Sequence, residues 1–377
     1  MSTQEVVSAI RESVASRTPL RITGRSNWLD AGRPVRAGKT LSLRDDTGVV
    51  SYVPGDLTLT VRAGTTLAEI ERVTLEHDQW LPLDPYGSSD GTIGATIATA
   101  SAGPLASGFG LPRDLLLGLE FVNGRGEIVR AGGKVVKNVA GFDLSRLLTG
   151  SWGTLGVITE LTLRLYARPR ADRSFVVSLR GEQAKALAHA AYTSISPYAF
   201  QLVSASVARA LGLGAHPACL VRLGGNEAVV AEQLIVLSQI APTKEIEPQT
   251  WTALRELDVS ADSVVRISNL PVQFLGASAS ILGEDIPDVY TCIDPRRGVL
   301  RIVVARNGQE SDDDTLAGGT SVEFGTDNGR SSEVIFEKLP PDVWARVSPS
   351  VVADSLSQGI RKAYDPHDIL NPGILGD

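Results

Sequence analysis

Residues 84–112 read DPYGSSDGTIGATIATASAGPLASGFGLP, a run dominated by Gly, Ala, Ser and Thr in which charge is nearly absent. Small side chains let one stretch of backbone approach another closely. A flexible linker is also rich in Gly and Ser, but linkers are polar throughout. This run instead interleaves Ile93, Ile97, Leu105, Phe109 and Leu111. The pattern predicts chain packed tightly against something flat, inside a folded domain.

The surroundings read as mixed α and β structure. Residues 4–17 carry an apolar stripe, Val6, Val7, Ile10 and Val14, at helical spacing. LRITG (20–24) is a short strand ending on glycine, and VVSYV and LTLTVRAG are two more, the last with Leu57, Leu59 and Val61 on one face. Residues 65–77 form a helix with Thr65 or Thr66 as N-cap and Glu69 three residues beyond Thr66. LLLGLEFVNGRGEIVRAG (115–132) is a hairpin turning at Asn123–Gly126. From residue 173 the texture changes to SFVVSL, EQAKALAHAAYTS, YAFQLVS, CLVRL, EAVVAEQLIVLSQI and TKEIE, the βαββαβ order of a ferredoxin-like unit. SVVRIS, DVYTCI and VLRIVVA follow as further strands, and a helix at about 351–364 leads into DPHDILNPGIL. Proline in ARPRAD sets a domain boundary near 167–172.

Composition narrows the function. A chain of 377 residues with 43% hydrophobic residues supports about two to three domains. The formal net charge of −7 argues against a nucleic-acid partner, since phosphate backbones are bound by basic surface. Two cysteines, Cys219 and Cys292, rule out a disulfide scaffold or an iron–sulfur site and fit a reducing compartment. No signal-peptide core and no long apolar run is present, so a cytoplasmic protein without a transmembrane segment is expected. The four histidines, His77, His189, His216 and His367, form no HxxH or HxxxH pair, and no metal site is expected. The acidic loop 308–319 reads as solvated surface.

Four glycine-rich segments stand beside β structure: TGRSN (23–27), DGTIGATIATASAG (90–103), KNVAGFD (137–143) and GSWGTLGVIT (150–159). Glycine lets backbone N–H groups reach a pyrophosphate without a Cβ in the way. A Rossmann site needs GxGxxG opening a helix, whereas Gly150, Gly153 and Gly156 are spaced GxxGxxG and feed a strand. A P-loop, GxxxxGK[ST], does not occur.

In this order the segments resemble those of the vanillyl-alcohol oxidase / p-cresol methylhydroxylase flavoproteins, and within them the flavin subunits of the glycolate oxidase type. TGRSN, DGTIGATIATASAG, SGFGLPRDLLLGLEFVNGRGEIV, KNVAGFDLSRLLTGSWGTLGVIT and DPHDILNPG carry the resemblance. It implies an α+β fold: a PCMH-type FAD-binding domain of two α+β subdomains over 1–170, a ferredoxin-like α+β substrate or cap domain over 171–340, and a C-terminal helix and tail, 341–377, returning to the FAD domain. It implies non-covalent FAD, with Gly24, Arg25, Ser26 and Asn27 at the pyrophosphate. Thr92, Ile93, Gly94, Ala98 and Thr99 would lie along ribityl, phosphate and ring. Gly103 and Gly108 would turn the chain near the flavin, and Gly156, Val157 and Ile158 would meet the adenine end. Lys137 and Asp143 either approach the flavin or pair on the surface. A second FAD-binding subunit, an iron–sulfur subunit and a small 2-hydroxy acid would be its partners, with any membrane association made through those subunits.

Two features depart from the family. Arg25 stands where the family has consecutive glycines, so its side chain either points away or neutralises phosphate charge. The HxGDGNxH segment of related dehydrogenases has no match in 173–340. His189 and His216 are candidate proton acceptors by elimination only, His189 in the alanine-rich helix reading rather as structural, and no catalytic residue is assigned. An FAD-linked oxidase acting alone, or an assembly subunit without catalysis, are the alternative readings.

Overall fold

The computed structural model describes residues 1–133, 143–180, 182–283, 285–305, 333–347 and 354–376. The acidic loop 308–319, Lys137 and most of KNVAGFD lie outside them. The chain divides into two compact units, one of Met1–Arg168 with Pro340–Asp377, the other of Pro169–Leu339.

The first unit opens with α1 (Thr3–Ser16), capped by Ser2 and Glu5, whose apolar stripe Val6, Val7 and Ile10 is buried. Strands β1 (Leu20–Thr23) and β2 (Lys39–Ser42) pair in parallel. The main sheet takes β3 (Val49–Val53) and β4 (Thr58–Arg62). Next come α2 (Leu67–Leu75), β5 (Gln79–Trp80), α3 (Ile93–Thr99), α4 (Ala106–Phe109) and α5 (Pro112–Leu115). The hairpin β6 (Leu116–Val122) and β7 (Ile128–Gly132), helix α6 (Leu144–Leu148), and β8 (Val157–Arg164) and β9 (Tyr166–Ala167) complete this part. The sheet order is β3-β4-β8-β6-β7, all antiparallel. Its middle strand, β8, is buried through Val157–Thr159 and then alternates, Leu161 and Leu163 buried between the more exposed Glu160, Thr162 and Arg164, as in a strand packed on one face. Leu59, Val61, Phe121, Leu161 and Leu163 are fully buried here, each worth about 1.5–3 kcal/mol.

Of the two candidate caps for α2, Thr66 takes the role, its Oγ1 accepting from Glu69 N at 3.1 Å. Thr65 is fully buried and bonds the Gly48 backbone instead. Glu120 lies opposite Glu160 in the ladder. Burial alone would raise Glu120, but hydrogen bonds from Thr159, Thr3 and Arg130 outweigh it and hold the carboxyl below its usual range.

The second unit is built on β10 (Ala171–Ser178), α7 (Gln183–Thr193), β11 (Ala199–Val203), α8 (Ala205–Ala210), β12 (Ala218–Gly225), α9 (Glu227–Ile240) and β13 (Thr243–Ile246). These strands run antiparallel in the order β13-β10-β12-β11, the arrangement a βαββαβ chain adopts when each helix crosses one face. Past α10 (Gln249–Glu256) come β14 (Ala261–Ser268), α11 (Pro271–Gly283), β15 (Val289–Asp294), β16 (Val299–Ala305) and β17 (Glu333–Lys338). They repeat the order in reverse, β15-β16-β14-β17, and β11 joins β15 to make one eight-stranded sheet. Among the described residues the strand order of a ferredoxin-like motif thus occurs twice.

Charge is buried in the second half of this sheet. Arg301 binds Asp258, and its Nη1 donates to Glu337 at 2.6 Å, which Arg266 also reaches at 2.8 Å. Burial dominates at Asp258 and raises its pKa. Burial also opposes ionisation of Glu337, but two guanidinium groups reverse the balance and lower it.

Both cysteines are free and buried. Burial lifts the Cys219 thiol well above its ordinary value and pushes Cys292 up to about 12. Thiolate is the reactive form, so at pH 8 neither should alkylate with iodoacetamide until the chain is unfolded. Mass spectrometry before and after denaturation checks this, and rapid labelling of the native protein would contradict it.

Candidate functional site

The cofactor-like loops meet in one open cavity of the first unit. Strand β1 delivers Thr23 and then the loop Gly24–Asn27, which Ser42 steadies by donating to Gly24 O at 3.2 Å. Gly24 packs so closely on Thr92 that any Cβ there would overlap the Thr92 side chain. Ser26 has φ +64°, which turns successive amides toward one side. Among the described residues the backbone N–H groups of Arg25, Ser26 and Asn27 donate to no protein acceptor. Arg25 Nε donates to Asp90 Oδ2 at 2.9 Å, a pair partly exposed on both sides and so worth little to stability.

Helix α3 forms the floor. Gly94 sits against the end of β4, where an added Cβ would lie 2.7 Å from Ala63 Cβ and 2.8 Å from Ala63 O. Its first amides are already taken: Ile93 N donates to Thr65 O, Gly94 N to Ala63 O and Ala95 N to Thr92 Oγ1. The turn GSWG docks on the other end, with Gly150 N on Ile97 O and Trp152 N on Ala98 O. Gly150, Trp152 and Gly153 all have positive φ, so the three-apart glycines form a turn that feeds β8.

The tail closes the wall. Leu20 N donates to Ile369 O, and Asn371 N returns to Leu20 O. Buried Asn371 accepts from Ile22 N at 2.8 Å and donates to Trp152 O at 2.7 Å, tying β1 to the GSWG turn.

Of the residues expected at a cofactor, Gly24, Arg25, Ser26, Asn27, Thr92, Gly94, Ala98, Thr99, Gly156 and Ile158 line the cavity together. Four do not. Ile93 and Val157 are fully buried in the core, and Ile93 N is engaged. Gly103 abuts the Asp84 backbone, where its missing Cβ makes room for a chain crossing. Gly108 lies in the short helix α4, away from the lining. Asp143 caps α6 and pairs with Arg146 at 3.1 Å, the surface alternative. All four histidines are exposed and none lines the cavity.

Trp28, Tyr86, Trp152, Asn371 and Ile374 were not foreseen as lining residues. Trp28 directly follows TGRSN and Trp152 lies inside GSWG, so adjacency to a glycine loop was the available signal. Asn371 was visible only as part of DPHDILNPG.

The cavity fits FAD on its own terms. It offers unengaged amides beside a cation for a diphosphate, Cβ-free approaches at Gly24 and Gly94, and two buried polar atoms without partners, Thr23 Oγ1 and Trp28 Nε1. Residues 1–132 match the family model of the FAD binding domain. The solved p-cresol methylhydroxylase with substrate bound has the same fold, with TM-score 0.73 over 100% of this chain and 87% of that one at 15% identity. The fold and site define an FAD-binding oxidoreductase of the PCMH type.

Glycolate oxidase subunit GlcE of Escherichia coli (strain K12) is 36% identical over 256 residues, 67% of this chain and 68% of that protein. Glycolate oxidase subunit GlcD of Bacillus subtilis (strain 168) is 32% identical over 176 residues, 46% of this chain and 37% of that one. The chain belongs to the FAD-linked oxidoreductase family of these glycolate oxidase subunits.

Asn371→Ala removes both bonds and leaves Ile22 N and Trp152 O unpaired, a loss of about 2–4 kcal/mol. Urea unfolding monitored by circular dichroism reads this directly; a change under 0.5 kcal/mol would show the bridge to be incidental.

Proposed function

We propose that the chain is the FAD-carrying subunit of a glycolate-oxidase-like 2-hydroxy-acid dehydrogenase, assembled with a second FAD-binding subunit and an iron–sulfur subunit. The observation that carries it is the loop Gly24–Asn27, with unengaged amides and Arg25 on one cavity wall, in a chain akin to glycolate oxidase subunits. Bound FAD would supply a hydride acceptor for oxidation of a hydroxyl-bearing carbon.

The chain's own residues bind and orient. Arg25, Ser26 and Asn27 present amides, Gly24 and Gly94 keep side chains out of the way, and the α3–β8 contact makes the floor rigid. Arg25 answers the departure from the family's glycines. Its pairing with Asp90 is a resting position from which the guanidinium turns to the diphosphate. Among the described residues no helix is long and apolar enough to cross a membrane, so membrane association would fall to partner subunits.

The purified chain reconstituted with FAD should be yellow, with an absorbance band that dithionite bleaches. A chain that takes up no FAD would sink the proposal. Bleaching by a 2-hydroxy acid only when partner subunits are added supports the subunit role, whereas turnover by the isolated chain would favour an oxidase acting alone.

Arg25→Gln should weaken FAD about tenfold and flatten the dependence of binding on salt, because a charge-assisted bond is lost. Asp90→Asn should tighten FAD several-fold by releasing Arg25. Calorimetric titration at two ionic strengths measures both, and equal affinities in all three proteins would place Arg25 outside the phosphate site.

A further inference from the structure

Two tryptophans on the cavity wall have no part in holding the diphosphate. Trp28 leaves the pyrophosphate loop and Trp152 sits in the GSWG turn, and both line the cavity. Their rings stack with centroids 6.1 Å apart and planes 28° from parallel. Trp152 is fixed at its backbone by Ala98 O and the Asn371 side chain. Its ring lies over Gly32, where an added Cβ would come within 3.1 Å of it.

Trp28 is half-buried, and its Nε1 is shielded from solvent with no acceptor among the described residues. Buried indole N–H groups normally find a partner, and leaving one unpaired is costly. The donor is closed off as the wall stands, so it meets an acceptor on the rim of a flat heteroaromatic ring when the Trp28 indole turns as that ring seats against it. The indoles cover part of the ring and the N–H takes the acceptor. FAD has such a ring at each end, adenine and isoalloxazine.

We propose that Trp28 and Trp152 seat one ring of FAD, with Trp28 Nε1 donating to an acceptor on its edge. This rests on the reading that the cavity takes FAD. The tryptophans then set specificity: the loop holds the anionic middle of the molecule, and the indole pair fixes where the ring beyond it lies.

Titration of the full-length apo chain with FAD and with FMN, followed by tryptophan emission and flavin absorbance, tests this. FAD should quench the emission of the wild-type chain, and the quench should shrink in Trp28→Phe and Trp152→Phe. Trp28→Phe should weaken FAD about tenfold through loss of the N–H alone, and Trp28→Leu further. If Trp28→Leu does not fold, Trp28→Phe still reads the bond, since it keeps most of the bulk. FMN affinity unchanged by Trp28→Phe assigns the seat to adenine, and FMN weakened alongside FAD assigns it to isoalloxazine; either supports the proposal. FAD affinity within twofold of wild type in folded Trp28 variants overturns it. Failure of the wild-type chain to bind FAD would instead overturn the cofactor reading, and this proposal with it.

Discussion

The cofactor-binding unit depends on backbone meeting backbone where no Cβ stands between. Gly94 seats α3 on Ala63 at the end of β4, Gly24 seats the loop on Thr92, and Gly156 seats the start of β8 against Phe121. Each contact would fail with alanine unless a neighbour moved, and overpacking of that kind costs about 1–3 kcal/mol. Together they pin the loop, the short helix and the turn to one sheet. A seven-residue helix has little stability of its own. It holds here because Thr65, Ala63 and Thr92 satisfy its first amides and the GSWG turn takes its last carbonyls.

That same satisfaction leaves the start of α3 without free donors. A helix N-terminus usually offers free amides to a phosphate, but those of Ile93 and Gly94 are spent on the protein. The free donors belong to Arg25, Ser26 and Asn27, in a loop turned by the positive φ of Ser26. The chain thus puts a rigid element under the cavity and unengaged amides in the loop above, where Arg25 pairs with Asp90.

Much of this was legible in the sequence, because glycine spacing reports places where side chains are not allowed. The small-residue run was readable as tightly packed chain, though not as the helix α3 that it forms, and GSWGTLG was readable as a turn feeding a strand rather than a helix. Glycine reports close packing without saying against what. Gly103 had the same look as Gly94, yet it meets the Asp84 backbone and does not itself line the cavity. Ile93 and Val157 point into the core for the ordinary reason that their side chains are apolar. In the second unit the first βαββαβ repeat was readable from its alternation. Its duplicate was not: α11, PVQFLGASASILG, lacks a clear polar face, and β17 follows 27 residues outside the described structure. Buried Arg301 and Asp258 and partly buried Glu337 were hidden because each looks like a surface charge until β14 pairs with β16 on one side and β17 on the other.

The tail gives the fold a history. Asn371 stitches Ile22 to Trp152, yet the whole second unit is synthesised between Arg168 and Pro340. A ribosome makes the loop Gly24–Asn27 well before the residue that ties β1 to the GSWG turn, with the whole second unit in between. The nascent chain therefore carries an unfinished cavity while the second unit emerges and folds.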